Sequence, residues 1–164
     1  MIAAAMLAAL FGVLLCAALA DVARLRIPNS LVLAAVGLFL PYTYASGMAL
    51  AEIGLHVGAG VAVLVAGFVL FSAGLRFGAG DAKLFAALAL WSGFSGLPAL
   101  VAFTGFIGGG IAFVVVLLRA SGIGWWLGAR GWSAPALTVD GREAYVPYGP
   151  AMALAFACTI YTAA

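Results

Sequence analysis

Gly78-Ala79-Gly80-Asp81-Ala82-Lys83 interrupts two long apolar runs, residues 50–74 before it and 82–94 after it, with a carboxylate and an ammonium group. A charged side chain at the centre of a membrane helix costs about 3 kcal/mol or more, so its presence points to function. The rest of the chain says that a membrane is the relevant solvent. Of its 164 residues 67% are hydrophobic and 7% charged, with a mean hydropathy of +1.26. Soluble domains run at roughly 25% charged. The apolar segments fall at 2–20, 30–46, 50–74, 82–94, 97–118 and 149–163. At about 20 residues per crossing this predicts an all-α polytopic membrane protein of about six transmembrane helices. The fourth segment is short and reads as tilted or broken from Lys83 past Pro98. The expectation is a single membrane domain over residues 1–164. No internal repeat is visible, so the inverted-repeat signature of many transporters is missing.

The charges choose an orientation. Arg24 and Arg26 follow the first segment, Arg76 and Lys83 flank the junction before the fourth, and Arg119, Arg130 and Arg142 precede the last. The connections near Ser46-Gly47 and Ser95-Gly96 carry no Lys or Arg. Basic residues in alternate loops place those loops in the cytoplasm and both termini outside. Asp81 and a second carboxylate at a segment end, Asp21, then share the cytoplasmic side. The net charge of +2 and pI near 8.7 arise from these loop cations, which argues against nucleic-acid binding.

Cys16 and Cys158 lie in apolar runs without a CxxC partner, and one histidine cannot complete a zinc set. They read as buried packing thiols, with no metal or redox role. Residues 2–20 end in Ala18-Leu19-Ala20, like a signal-peptidase site, but no basic residue precedes them and the run is long enough to span. A retained helix is expected. Gly54-x-x-x-Gly58 and Gly105-x-x-x-Gly109 would allow close helix approach. In the loop 119–148, Trp125, Trp126, Trp132 and Arg130 point to the membrane interface, and Asp140-Gly141 to a tight turn.

The two aspartates stand in organised surroundings. In Asp21-Val22-Ala23-Arg24-Leu25-Arg26-Ile27-Pro28-Asn29, Pro28 holds Ile27 extended and suits a helix start, so the link is short and stiff. Gly78 and Gly80 let the backbone bend and pack closely before Asp81, which falls in a first helical turn where the dipole favours negative charge. If the helices bearing them pack together, the carboxylates can face one another across a water. Like charges that close cannot both ionise cheaply, so the pair would share a proton. One carboxylate would deprotonate the water attacking a peptide carbonyl, while the other protonates the carbonyl oxygen. No cofactor, metal or covalent intermediate is required.

These elements resemble the type IV prepilin peptidases, GxGD aspartic membrane peptidases whose active aspartates lie in D-x5-IPN and GxGD motifs. Asp21 through Asn29 matches the first motif and Gly78 through Asp81 the second, continuing as Asp81-Ala82-Lys83-Leu84; Pro147-Tyr148-Gly149-Pro150 also looks like the family. A lone GxGD carries little weight among 22 glycines, but the three elements in order are specific. The resemblance implies an aspartic endopeptidase that removes the leader of prepilins or pseudopilins at the cytoplasmic face of a prokaryotic inner membrane, in type IV pilus biogenesis. Asp21 and Asp81 would be catalytic, with Gly78, Gly80, Lys83, Pro28 and Asn29 supporting. The larger members carry an N-terminal methyltransferase region with paired cysteines; none is expected here, and the chain looks most like the compact Flp/Tad-type peptidases. Partners would be the prepilin and membrane lipid.

Other readings compete. Asp81 alone could cap its helix or pair with Lys83 or Arg76, and Asp21 could be an interfacial charge beside Arg24. Lys83 reads as a positive-inside anchor; its functional alternative is to tune the pair or meet a substrate carboxylate. Glu52 and His56, four apart on one helix face, read as interfacial or mutually hydrogen-bonded, opposite the site. Asp140 and Glu143 read as solvated loop charges. A presenilin-like protease also uses GxGD, and Pro98-Ala99-Leu100 and Pro135-Ala136-Leu137 spell its PAL element, but the chain is short for nine helices. A small membrane transporter or proton-linked channel would place its carboxylates near the bilayer midplane. A catalytically silent assembly protein would not need both aspartates.

Overall fold

A chain this apolar must satisfy its backbone hydrogen bonds internally, and among the described residues it does so with helices and no strands. The computed structural model describes residues 1–74, 78–122, 126, 130 and 146–163. Among the described residues the helices with described bounds are, in order, α1 (Ile2–Arg24), α2 (Asn29–Ser46), α3 (Leu50–Ser72), α4 (Ala79–Ala120) and α5 (Gly149–Ala163). Three of them, α1, α3 and α4, are long and apolar enough to cross a membrane. Polar residues at both ends of α2 and the 15-residue length of α5 keep those two below that standard. Six crossings and outward termini therefore stay expectations from composition and charge.

The expected segments 82–94 and 97–118 lie in one 42-residue element that leaves helical geometry at Gly93, with φ 63° and ψ −177°. This backbone region is essentially restricted to glycine. Space demands glycine too, since a Cβ there would stand 2.8 Å from the His56 ring. The second arm follows this break, and Pro98 lies inside it.

The first arm of α4 is the hub. Residues 86–93 are buried without exception, and Leu84 and Leu88 are fully enclosed. A helix buried all round is apolar all round. It runs parallel to α2, where the Trp91 indole donates to the Ala35 carbonyl at 2.8 Å and Phe39 meets Trp91 edge-on. It runs antiparallel to α3, with Gly67 against Ala82 and Gly60 against Ala86 and Leu90. The second arm runs antiparallel to α5, with Gly96 beside Thr159 and Gly108 beside Tyr148 and Ala151. Phe11 and Phe156, 5.9 Å apart, join α1 to α5.

On α3 the pattern is inverted relative to a water-soluble helix. Its buried residues are Ala59, Gly60 and Gly67, whereas Phe68, Phe71, Leu55 and Val65 face outward. In lipid, large apolar side chains gain nothing by hiding, and small ones bring backbones together. The expected glycine pairs do not make these contacts: Gly54, Gly105 and Gly109 have nothing within 4 Å, and only Gly58 meets a neighbour, Phe94 at 3.2 Å. Cys16 is exposed and Cys158 half-buried, both free, so Cys16 is not the buried packing thiol expected of it.

Candidate active site

Asp21 does not end its helix, which continues to Arg24 and closes on Leu25 in the left-handed conformation (φ 50°). The Leu25 N–H bonds back to the Asp21 carbonyl at 2.7 Å. Ile27 is buried, and Pro28 stands extended immediately before α2. The link thus turns sharply under the bundle end, with Asp21 one turn inside it and 4% exposed. Its Oδ2 accepts the Gly149 N–H at 2.7 Å. This contact brings the start of the last helix onto a carboxylate of the first.

Asp81 is the third residue of α4, which begins after Gly78. Its carboxylate folds back over that glycine, so that a Cβ at position 78 would lie 2.6 Å from Asp81 Oδ2. Gly78 is therefore the glycine this carboxylate position requires. Gly80 differs: a Cβ there would lie 3.6 Å from the Ile27 Cβ, an ordinary contact. Gly80 lays the start of α4 over the Ile27 link, but an alanine would fit.

These elements enclose a cavity of about 280 Å³. From the end of α1 and its link come Asp21, Leu25, Arg26, Ile27 and, opening α2, Asn29. From the start of α4 come Gly78 through Asp81 and Lys83, with Val146 closing the side toward α5. The carboxylates lie within electrostatic reach of each other. Lys83 Nζ donates to Asn29 Oδ1 at 3.2 Å, tying the two motifs together across the rim. Pro28 does not line the cavity; it sets the link that does. Such a cavity can hold a water between two oxygens that accept and donate protons.

The opposite end of the bundle holds the other ionisable pair, and it differs from expectation. Glu52 and His56 are not hydrogen-bonded to each other. Glu52 accepts the Ala49 N–H at 3.1 Å and caps α3. His56 reaches the Leu90 carbonyl through Nδ1 at 2.8 Å and stacks on Phe39. A carbonyl can only accept, so Nδ1 carries the proton. The break at Gly93 explains the bond, because Leu90 O would otherwise serve the N–H four residues on. Sequence reasoning missed this role; the signal available was one histidine a helix away from the Ser92-Gly93-Phe94-Ser95-Gly96 stretch.

Arg130 lies over the Trp126 ring, 3.8 Å from its centre. Arg76, Trp125, Trp132, Pro135-Ala136-Leu137, Asp140, Arg142 and Glu143 lie outside the described residues. Gly149 belonged to a motif quoted without a role, and only the structure sets it against Asp21.

A sequence model described as the type IV leader peptidase family matches residues 8–113. The match spans α1 through the second arm of α4, including Asp21, Asn29, Gly78, Asp81 and Lys83, and stops before α5. Neither a curated protein nor a solved structure matches the chain.

Proposed function

The chain belongs to the type IV leader peptidase family, and from that premise we propose that Asp21 and Asp81 form a water-activating dyad that cleaves the leader from prepilins or pseudopilins. Its substrates are of the small Flp type. The site lies at the cytoplasmic face of a prokaryotic inner membrane, because the cations Arg24, Arg26 and Lys83 stand at the aspartate end of the bundle. One observation carries the reading: two aspartates from distant parts of the chain line one cavity.

In this mechanism a water sits between the carboxylates. The ionised one removes a proton as the water oxygen attacks the scissile carbonyl carbon. The protonated one delivers its proton to the carbonyl oxygen, and the tetrahedral intermediate collapses as the amine nitrogen is protonated. Gly78 leaves room for the Asp81 carboxylate, while Pro28 and Asn29 shape the link carrying Asp21 toward it. Lys83, held on Asn29, keeps the start of α4 against that link.

The test is cleavage of a co-expressed Flp-type prepilin in membranes by wild type, Asp21→Asn and Asp81→Asn. Loss of processing in both variants, at wild-type membrane levels, is expected. Full processing by either one overturns the dyad.

A further inference from the structure

The two carboxylates of the cavity are held differently. Asp21 Oδ2 takes the N–H of Gly149, the first residue of α5, at 2.7 Å in a buried setting. The fit allows no side chain: a Cβ on Gly149 would stand 2.9 Å from Asp21 Cβ, 3.1 Å from Oδ2 and 3.4 Å from the Ala17 carbonyl. The amide is anchored from behind as well. The Tyr148 ring lies over Gly108 of α4, where a Cβ would meet it at 2.8 Å. Asp21 thus caps α5 from another helix, and the free N–H groups at a helix start favour an anion. Asp81 has no hydrogen-bond donor among the described residues, and its principal electrostatic neighbour is the like charge of Asp21.

We propose that Gly149 is a positioning residue whose N–H holds Asp21 as the ionised, water-activating member of the dyad, leaving Asp81 to carry the proton that goes to the scissile carbonyl. The assignment rests on the dyad reading and adds the division of labour. Asp21 takes a proton from the water as the oxygen–carbon bond forms, and Asp81 gives its proton to the carbonyl oxygen. On breakdown, Asp21 returns its proton to the leaving nitrogen as the carbon–nitrogen bond breaks, and a hydroxyl of the intermediate reprotonates Asp81. Both residues finish as they began.

The other groups facing Asp21 do not make the distinction. Asp81 and Lys83 face it from α4 and Arg26 from the link, the neutral Asn29 stands at the start of α2, and Arg24 lies exposed on its own helix. The cations line the same cavity for both aspartates, and α5 carries no charged side chain. The Gly149 amide, with the neighbouring Tyr148 N–H beside it, reaches Asp21 alone. It also lies beyond the stretch that matches the family, so α5 enters the chemistry through a backbone group.

Infrared titration of the full chain in detergent micelles tests the assignment without requiring cleavage. Asp81→Asn leaves Asp21 as the cavity carboxyl, and Asp21→Asn leaves Asp81. The carboxylate band of Asp21 is expected to form at a lower pH than that of Asp81, because a backbone N–H holds its ionised form. The reverse order, or equal midpoints, overturns the proposal. Gly149→Ala, which drives a methyl against Asp21, is expected to lower kcat roughly tenfold to a hundredfold with little change in KM. It should also move the acidic limb of the pH–kcat profile to higher pH. A folded Gly149→Ala enzyme with the wild-type profile and kcat overturns it; if that variant does not fold, the titrations decide alone. Cleavage by the Asn variants would instead sink the dyad, so the two failures are distinguishable.

Discussion

The two ends of this bundle each hold ionisable groups where apolar helices begin, end or break, and they use them in opposite ways. At one end Asp21 and Asp81 face a cavity of about 280 Å³, with one carboxylate oxygen committed to a backbone N–H. At the other, His56 spends Nδ1 on the Leu90 carbonyl exposed by the Gly93 break, its ring packed on Phe39 and against that glycine. Glu52 is consumed by the cap of α3. Both ends repair a helix terminus with a side chain. They differ in what is left over: the aspartate end keeps carboxylate groups lining an open cavity, and the histidine end fills its space.

The strongest way to break this contrast is activity. Asp21→Asn or Asp81→Asn should each cut kcat/KM for prepilin cleavage by about 10³-fold, within the range ascribed to positioned acid–base groups. His56→Ala should keep it within about threefold per folded molecule. A folded but inactive His56→Ala protein would mean that the two ends are coupled in catalysis.

The next effect is on stability. Gly93→Ala forces a side chain into a glycine-only backbone region and into the His56 ring, at a cost of about 1–3 kcal/mol from the backbone alone. His56→Ala leaves the Leu90 carbonyl without its donor and should cost about 1–3 kcal/mol. Both are read as earlier unfolding in micelles. Additive losses in the double variant would refute the pairing of histidine and break, since residues in one contact are expected to be non-additive.

A smaller contrast lies within one motif. Gly78→Ala displaces the Asp81 carboxylate and should lower kcat about tenfold, whereas Gly80→Ala, with its methyl 3.6 Å from Ile27, should change it by less than about twofold. Equal effects would show that backbone freedom, rather than room for the carboxylate, is what the motif needs. The smallest expected effect is in helix packing. Gly67→Ala presses a methyl against Ala82 at 2.9 Å and should cost about 1 kcal/mol, while Gly54→Ala, facing open space, should cost nothing measurable in the same unfolding assay.

The carboxylates were legible because their expense in an apolar chain marks them without any neighbour being known. The link after Asp21 was legible because proline and the residue before it have few conformations. Helix contacts were not. The local spacing Gly54-x-x-x-Gly58 looks like a packing motif, yet the glycines that meet α4 best are Gly60 and Gly67, set by which face of α3 turns inward. The break of α4 was foreseen only as a short or tilted segment, since nothing local distinguishes Gly93 from Gly96 until His56 arrives from another helix. Cys16 was misplaced for a related reason: in lipid an apolar side chain gains nothing by burial, so hydropathy alone does not say which face is inside.

By itself, then, the sequence determined that this is an all-helical membrane chain of the type IV leader peptidase family, and which two carboxylates are out of place in it. Those are properties of composition and short motifs, readable one residue at a time. The tertiary structure alone decided that the start of α5 meets Asp21, that Lys83 ties to Asn29, and that His56 heals the break in α4. Each of these joins residues far apart along the chain through a hydrogen bond only a few ångströms long. Such a bond depends on how whole helices are rotated and set against one another, and no local pattern encodes that.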